Sequence, residues 1–125
     1  MNLLTMPTKE YHIEQIEKEL STARDALKVG NDGKARVCAR RATGQAITWY
    51  LTKFPEKKWG SDAVTQLRFL TNDTSFSQEV RDAAVRLTTK ISERFTYPFS
   101  TNPIEDAQLI IRWIESVMIS NADCQ

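Results

Sequence analysis

Cysteine and histidine are scarce in this chain of 125 residues, which has two cysteines and one histidine. Cys38 lies inside a helical pattern and Cys124 is the last residue but one, so they form neither a disulfide framework nor a metal-ligand pair. We expect Cys38 to be a small buried hydrophobic residue. With His12 as the only imidazole, no Ser–His–Asp grouping and no metal-ligand spacing can be assembled, and we expect no metal and no cofactor.

Net charge and long apolar runs are also lacking. Lys and Arg number 17 and Asp and Glu 16, a formal net charge of +1, while 41% of the residues are hydrophobic. This composition is typical of a globular protein, so nucleic-acid binding would need a local cluster of basic side chains. No stretch is apolar over the length of a membrane span, and Met1 to Pro7 does not resemble a signal peptide. We therefore expect a cytoplasmic protein outside any membrane.

Apolar residues recur at helical spacing in the first half of the chain. Steps of three and four residues connect Ile13, Ile16, Leu20, Ala23 and Leu27. They predict an amphipathic helix that ends at Gly30. A second and more apolar helix is predicted from about Gly33 to Phe54, with Asp32 as its N-cap and Pro55 discouraging its continuation.

Three further helix starts are predicted in the second half. They lie at Ser61, at Ser75 with Gln78, and at Asn102 with Pro103 and Glu105. The helix that begins near Ser75 has apolar residues as far as Ile91. Short connections between amphipathic helices favour antiparallel neighbours. The sequence therefore predicts one all-α domain over residues 1–125, an up-and-down bundle of about five helices with short flexible ends near residues 1–8 and 120–125. Its predicted core includes Leu20, Leu27, Cys38, Ala42, Leu67, Leu87 and Ile111.

Two stretches carry a family resemblance. One is Ala35-Arg36-Val37-Cys38-Ala39-Arg40-Arg41-Ala42-Thr43-Gly44-Gln45-Ala46-Ile47 with Trp49-Tyr50-Leu51, and the other is Arg94-Phe95-Thr96-Tyr97-Pro98 before a final apolar helix. With the helix order, they resemble the HEPN domain, a small helical-bundle family of prokaryotes found beside nucleotidyltransferases and among toxin–antitoxin proteins. The resemblance covers roughly residues 11–119 and implies a homodimer or a nucleotidyltransferase partner.

The chain departs from that family at one informative place. Its ribonuclease members resemble one another in an Arg followed a few residues later by a His, whereas the positions after Arg94 hold Phe99, Ser100 and Thr101. The Arg–His pair of the family's ribonucleases therefore cannot be assigned to residues of this sequence. We therefore expect a binding module without catalytic activity, and a divergent ribonuclease that uses Arg94 and Tyr97 without a His is the alternative.

Basic residues gather on the predicted second helix. Lys34, Arg36, Arg40 and Arg41 are candidate nucleotide- or RNA-binding residues, since Arg36 and Arg40 share a helix face and guanidinium groups bind phosphate through forked hydrogen bonds. The alternative is a solvated face, or Arg side chains paired with carboxylates of the first helix.

Arg94 and Tyr97 are further candidates, because they flank the break before the last helix. Tyr97 is alternatively a packing residue whose hydroxyl is satisfied locally. Asp106 can pair with a basic residue that the sequence does not assign.

Two other features are interpreted without a functional role. The loop from Gly30 to Lys34 lacks the spacing of a phosphate-binding loop and is interpreted as the connection that ends one helix and begins the next. His12 is interpreted as a surface residue rather than a general base.

Apolar residues on the last helix exceed one stripe. Leu109, Ile110, Trp113 and Val117 lie off its principal face. Either an interface buries them or the helix packs between two neighbours in the monomer. A plain assembly protein without any nucleotide role is therefore a third functional hypothesis.

Overall fold

The computed structural model of the chain describes residues 7–90 and 97–123, with side chains described as far as residue 119. Within these residues it contains five helices and no strand: α1 Lys9–Lys28, α2 Asp32–Lys53, α3 Ala63–Thr71, α4 Gln78–Thr88 and α5 Pro103–Asp123. The all-α helical bundle predicted from the sequence is confirmed. Arg94 and Cys124 lie outside the described residues.

Local capping chemistry sets two helix boundaries as predicted. Gly30 follows the end of α1 with a φ of 77°, a conformation that glycine adopts without a steric penalty. At the start of α5, the side chain of Asn102 accepts a hydrogen bond from the Glu105 N–H. The Glu105 carboxylate in turn accepts one from the Asn102 N–H, both at 2.9 Å. This reciprocal pair is a capping box.

Three other predicted caps were wrong by one or two residues. The N-cap of α2 is Asn31, and Asp32 is the first residue of that helix. Asp62 rather than Ser61 caps α3, and Ser77 rather than Ser75 caps α4. Helix α4 ends at Thr88, three residues before the Ile91 to which its apolar pattern extends.

Helix α2 is the centre of the bundle, with α1, α3 and α5 packed against it. Its buried residues lie on several sides, and most of them are small: Ala35, Cys38, Ala39, Ala42, Thr43, Gly44, Ala46, Ile47, Trp49 and Tyr50. Small side chains allow neighbouring helices to approach closely, so one helix can contact three others. Of the predicted core residues, Leu27 is only partly buried, while the remaining six are buried.

Aromatic rings pack where α2, α3, α4 and α5 meet. The ring centroids of Tyr50 and Phe76 lie 5.2 Å apart, those of Trp59 and Phe76 6.3 Å apart, and those of Phe76 and Trp113 6.2 Å apart. Phe76 is 1% exposed. Because Trp59 precedes α3 and Phe76 precedes α4, this cluster holds the starts of both helices against α2 and α5.

The last helix packs between two neighbours, α2 and α4, which was one of the two alternatives for its surplus apolar residues. Ile110 is fully buried, while Leu109, Trp113 and Val117 are partly buried against the core. The monomer therefore covers part of the surplus apolar surface by itself. In the described part of the chain, no helix has both the length and the apolar character that a membrane span requires.

Candidate functional site

A buried carboxylate organises the end of the bundle where α4 ends and α5 begins. Asp106 is fully buried, and its Oδ1 accepts two hydrogen bonds from Arg86, from Nε at 3.0 Å and from Nη2 at 2.8 Å. Its Oδ2 accepts hydrogen bonds from the Tyr97 hydroxyl at 2.6 Å and from the Thr101 hydroxyl at 3.0 Å. Every lone pair that the burial desolvates thus has a donor, as a buried charge requires.

This network determines the state of Tyr97. Burial raises the pKa of the Tyr97 phenol well above its ordinary value of 10.0, and the hydrogen bond to Asp106 raises it further. The phenol therefore stays protonated near neutral pH and donates its proton to Asp106. Its hydroxyl is satisfied locally, as one of the two interpretations of the sequence expected.

Arg36 joins α2 to the C-terminal end of α4. Its Nη2 donates a hydrogen bond to the carbonyl oxygen of Thr89, the C-cap residue of α4. A cation there also lies at the negative end of the helix dipole. The Nε of Arg36 is buried and has no acceptor among the described residues. The main role of Arg36 in this structure is therefore to stabilise the contact between α2 and the end of α4.

Arg40 lies one helical turn after Arg36, but its side chain does not make a comparable contact with the described residues. It is half-buried, and within residues 7–90 and 97–119 its side chain has neither an ion pair within 4.0 Å nor a hydrogen bond. Burial lowers the pKa of Arg40, while Asp62 and Tyr97 oppose that effect. The carboxylate that acts on Arg40 thus belongs to the N-cap of α3, and not to the first helix as one alternative predicted.

Two other basic candidates, Arg41 and Lys34, lie on α2 but not beside the Arg40 side chain. Successive residues of a helix are rotated by about 100°, so Arg41 projects to a different side of α2. There it is exposed and lines a cavity of about 540 Å³ with Gln45, Thr48 and Asp62. Lys34 is exposed in the first turn of α2. The structure therefore brings Arg36, Arg40 and Tyr97 together and leaves Lys34 and Arg41 at the flank.

His12 belongs to the packing of the first helix. Its ring stacks on Trp49 with the centroids 5.4 Å apart, and burial lowers the pKa of the imidazole. Trp49 lies nine residues after Arg40, which is about 14 Å along a helix. His12 therefore has no part in the cluster around Arg40.

The described neighbours of Arg40 favour binding over proton transfer. Tyr97 is a protonated phenol, and hydrogen bonds from Thr65 lower the pKa of Asp62, which makes its carboxylate a weak base. Among the side chains that the structure describes, no group of three or more His, Cys, Asp or Glu residues could hold a metal ion. A guanidinium that has no direct ion pair can bind an anion through two parallel hydrogen bonds.

Sequence reasoning missed the residues that hold this end of the bundle. Arg86, Thr89 and Thr101 were not among the predicted site residues, because their partners are distant in the chain or belong to the backbone. Only Asp106, a carboxylate between the apolar residues Ile104 and Ala107 of α5, was a signal for them. Comparisons of the chain with protein-family models, with curated proteins and with solved structures found no match.

Proposed function

We propose that this chain is a non-catalytic binding module that takes a phosphate group of RNA or of a nucleotide at Arg40. One observation carries the proposal: Arg40 is half-buried between α2, the start of α3 and Tyr97, and no described residue forms an ion pair with it within 4.0 Å, since Asp62 acts on it only from a longer distance. A cation that is partly removed from water gains most from an anion that restores its hydrogen bonds.

The neighbouring residues support this role in different ways. Arg36 is held by the Thr89 carbonyl oxygen and adds positive charge beside Arg40. Arg41 and Lys34 are exposed, so they attract a polyanion over a longer range. Tyr97 is fixed by Asp106 and lies close enough to both arginines to act on their pKa values.

Binding of a labelled single-stranded RNA and of ATP tests the proposal. Replacing Arg40 with Ala should weaken binding by about 1–3 kcal/mol, the usual scale of a charge-assisted hydrogen bond, with little change in melting temperature. Replacing Arg112 on α5 with Ala removes the same charge at an exposed position and serves as the matched control. A lower melting temperature with unchanged binding would make Arg40 a structural residue and refute the proposal.

Arg40→Lys separates a specific site from a general basic patch. Lysine keeps the positive charge and loses the planar fork, so a site that uses the fork should weaken almost as much as with Ala. Full binding by the Lys variant would mean that only charge matters. In that case the affinity should also fall with rising salt concentration as it does for a nonspecific polycation.

Assembly with a second chain is part of the proposal. The module acts as a homodimer or as the partner of a nucleotidyltransferase, as the HEPN-like residues imply and as the partly exposed Leu109 and Trp113 of α5 permit. Light scattering at high micromolar concentration should report a dimer. A monomer would leave only the heterologous partner.

A ribonuclease reaction is the competing function. Purified protein is incubated with structured RNA, and Arg94→Ala is the control. Cleavage that this substitution abolishes would replace the binding proposal with a catalytic one.

A further inference from the structure

Phe69 presents an aromatic ring on the outer surface of α3. It is 47% exposed. The other exposed residues of this helix are Thr65 and Arg68, and α3 contains no carboxylate. The outer face of α3 thus combines an aromatic ring, a hydroxyl and a guanidinium group. Groups of these kinds contact the bases and phosphates of nucleic acids.

The ring of Phe69 is held in place by Trp59. The two rings are parallel within 4° and their centroids lie 6.0 Å apart, in the range of the offset stacking that aromatic pairs prefer. Trp59 is buried and itself packs against Tyr50 and Phe76. Because Trp59 stacks on one face of Phe69, the opposite face is the one left for a ligand. A ring that is already fixed loses little conformational entropy when a ligand stacks on it.

The charges next to the stacked pair are mainly positive. Arg68 and Lys58 adjoin the two rings in the sequence, and both are exposed and have no ion pair among the residues described. The ammonium group of Lys57 lies 5.5 Å from the centroid of the Trp59 ring, and its charge is balanced by Asp73. An exposed ring beside two unpaired cations favours a ligand that joins aromatic rings to negative charge.

Asp62 connects this surface to Arg40. Hydrogen bonds from Thr65 lower the pKa of Asp62, and the charges of Arg68 and Arg40 lower it further, so both guanidinium groups lie near this carboxylate. Phe69 comes seven residues after Asp62, which is about two helical turns and roughly 10 Å along the same side of α3. A strand with a rise of about 3.4 Å per nucleotide covers that length in about three nucleotides. The path from Arg40 to Phe69 therefore has two guanidinium groups for one carboxylate.

We propose that Phe69 is a stacking platform for a base of single-stranded RNA whose backbone is bound at Arg40. Arg68 lies beside the backbone between these two contacts. Every base has a π-face, so the platform accepts any of the four bases and selects for RNA with unpaired bases. This inference rests on the proposed function for the phosphate at Arg40, and it narrows the ligand from RNA or a nucleotide to a single strand.

Two labelled probes test the proposal with the full-length chain. One is a single-stranded RNA of about ten nucleotides, and the other is an abasic strand of the same length, which keeps the phosphates and lacks the bases. Fluorescence anisotropy should show that the unmodified chain binds the RNA roughly tenfold more tightly than the abasic strand, on the scale of stacking one base. Phe69→Ala should abolish this preference by weakening RNA binding alone, whereas Arg40→Ala should weaken binding of both probes.

Further variants separate stacking from other effects of the substitution. Phe69→Leu keeps an apolar contact with Trp59 but has no π-face, so it should behave like Phe69→Ala, whereas Phe69→Trp should retain the preference. Tyr11→Ala removes another exposed aromatic ring, 49% exposed on α1, and should leave the preference unaltered. Circular dichroism and melting of each variant show whether its fold is retained.

Different results would overturn the platform and the phosphate site. Equal binding of the two probes by the unmodified chain, with both still weakened by Arg40→Ala, would overturn the platform and leave the phosphate site intact. An RNA affinity that Arg40→Ala leaves unchanged would refute the phosphate site, and with it the path from Arg40 to Phe69. Unaltered RNA binding by Phe69→Ala, together with loss of a dimer in light scattering, would assign the ring to a contact between two chains and overturn the proposal.

Discussion

The guanidinium of Arg86 donates two hydrogen bonds to a single carboxylate oxygen of Asp106, and this contact links α4 to α5 across 20 residues of sequence. Asp106 is fully buried, while the Arg86 side chain keeps about a quarter of its surface exposed, at 24%. Through Oδ2 the same carboxylate also holds Tyr97 and Thr101. One buried charge thus positions both sides of the connection between α4 and α5.

Replacing Asp106 with Asn should therefore destabilise the domain strongly. The amide keeps the size of the side chain, but it removes the negative charge and places donor hydrogens toward other donors. Breaking a buried ion pair in this way costs about 3–5 kcal/mol, and the measurement is the free energy of unfolding in urea.

The exposed pair between Glu14 and Lys18 provides the control for this prediction. Both side chains are 66% exposed and the pair lies 3.9 Å apart, so Glu14→Gln should change the unfolding free energy by less than about 0.5 kcal/mol. Equal losses in the two variants would show that burial does not determine the strength of the Asp106 contact.

Local and distant interactions differ in how far the sequence predicted them. The capping box at Asn102 and Glu105 was predictable, because both halves lie within one helical turn. The prediction of Ser75 as a cap was wrong, because the Ser75 hydroxyl and N–H both donate to the Asp73 carboxylate, at 2.6 and 3.0 Å, and hold Ser75 in the preceding turn. The hydroxyl that accepts from the first turn of α4 is that of Ser77, which bonds to the Val80 N–H. Local competition of this kind is settled by backbone geometry that a pattern of residue types does not contain.

The candidate site was predictable only in part for the same reason. Helical spacing placed Arg36 and Arg40 on one face, and the structure keeps them near each other. Their different environments depend on Thr89 and Asp62, which are brought close by the packing of α3 on α2 and of α4 on α3 and α5. No periodicity within α2 carries that information.

Asp73 makes the stability of the domain depend on pH in the acid range. Burial acts to raise the pKa of Asp73, but hydrogen bonds from Lys57 and Ser75 outweigh it, and the pKa lies below its ordinary value of 3.8. Because the folded pKa is below the unfolded one, the stabilisation is fully present above about pH 4 and is lost as the pH falls through the folded value.

Asp73→Asn tests this dependence. At pH 7 the variant should be less stable by about 1–2 kcal/mol, because Lys57 loses its charged acceptor. Below about pH 4 its unfolding free energy should decline less steeply than that of the unmodified chain. Urea unfolding at a series of pH values measures both quantities, and parallel curves for the two proteins would contradict the assignment.

Gly44 lies where α2 closely approaches α3. A Cβ atom at this position would lie 2.9 Å from the Cβ of Ala63. Gly44→Ala should therefore destabilise the domain by about 1–2 kcal/mol, although alanine favours helix, because the helices must move apart. Adding Ala63→Gly should recover part of the loss, and a double-mutant cycle on unfolding free energies measures the coupling.

Gly33→Ala is the matched control within the same helix. Gly33 is helical, and a Cβ atom there would meet nothing within 4 Å. This substitution should stabilise the domain by about 0.5–1 kcal/mol through the reduced entropy of the unfolded chain. Destabilisation at both glycines would mean that the contact with Ala63 is not the cause.

Removal of the two arginines on one face of α2 should affect the stability of the domain differently. Arg36→Ala deletes the hydrogen bond to the Thr89 carbonyl oxygen and should lower the unfolding free energy by about 1–3 kcal/mol. The same substitution at Arg40 should leave stability nearly unchanged, because the described residues offer that side chain no hydrogen bond or ion pair to lose. Amide hydrogen exchange in the last turn of α4 locates the effect, since only Arg36→Ala should speed exchange there. Equal losses of stability would show that Arg40 also holds the fold, and an anion site built on it would then be untenable.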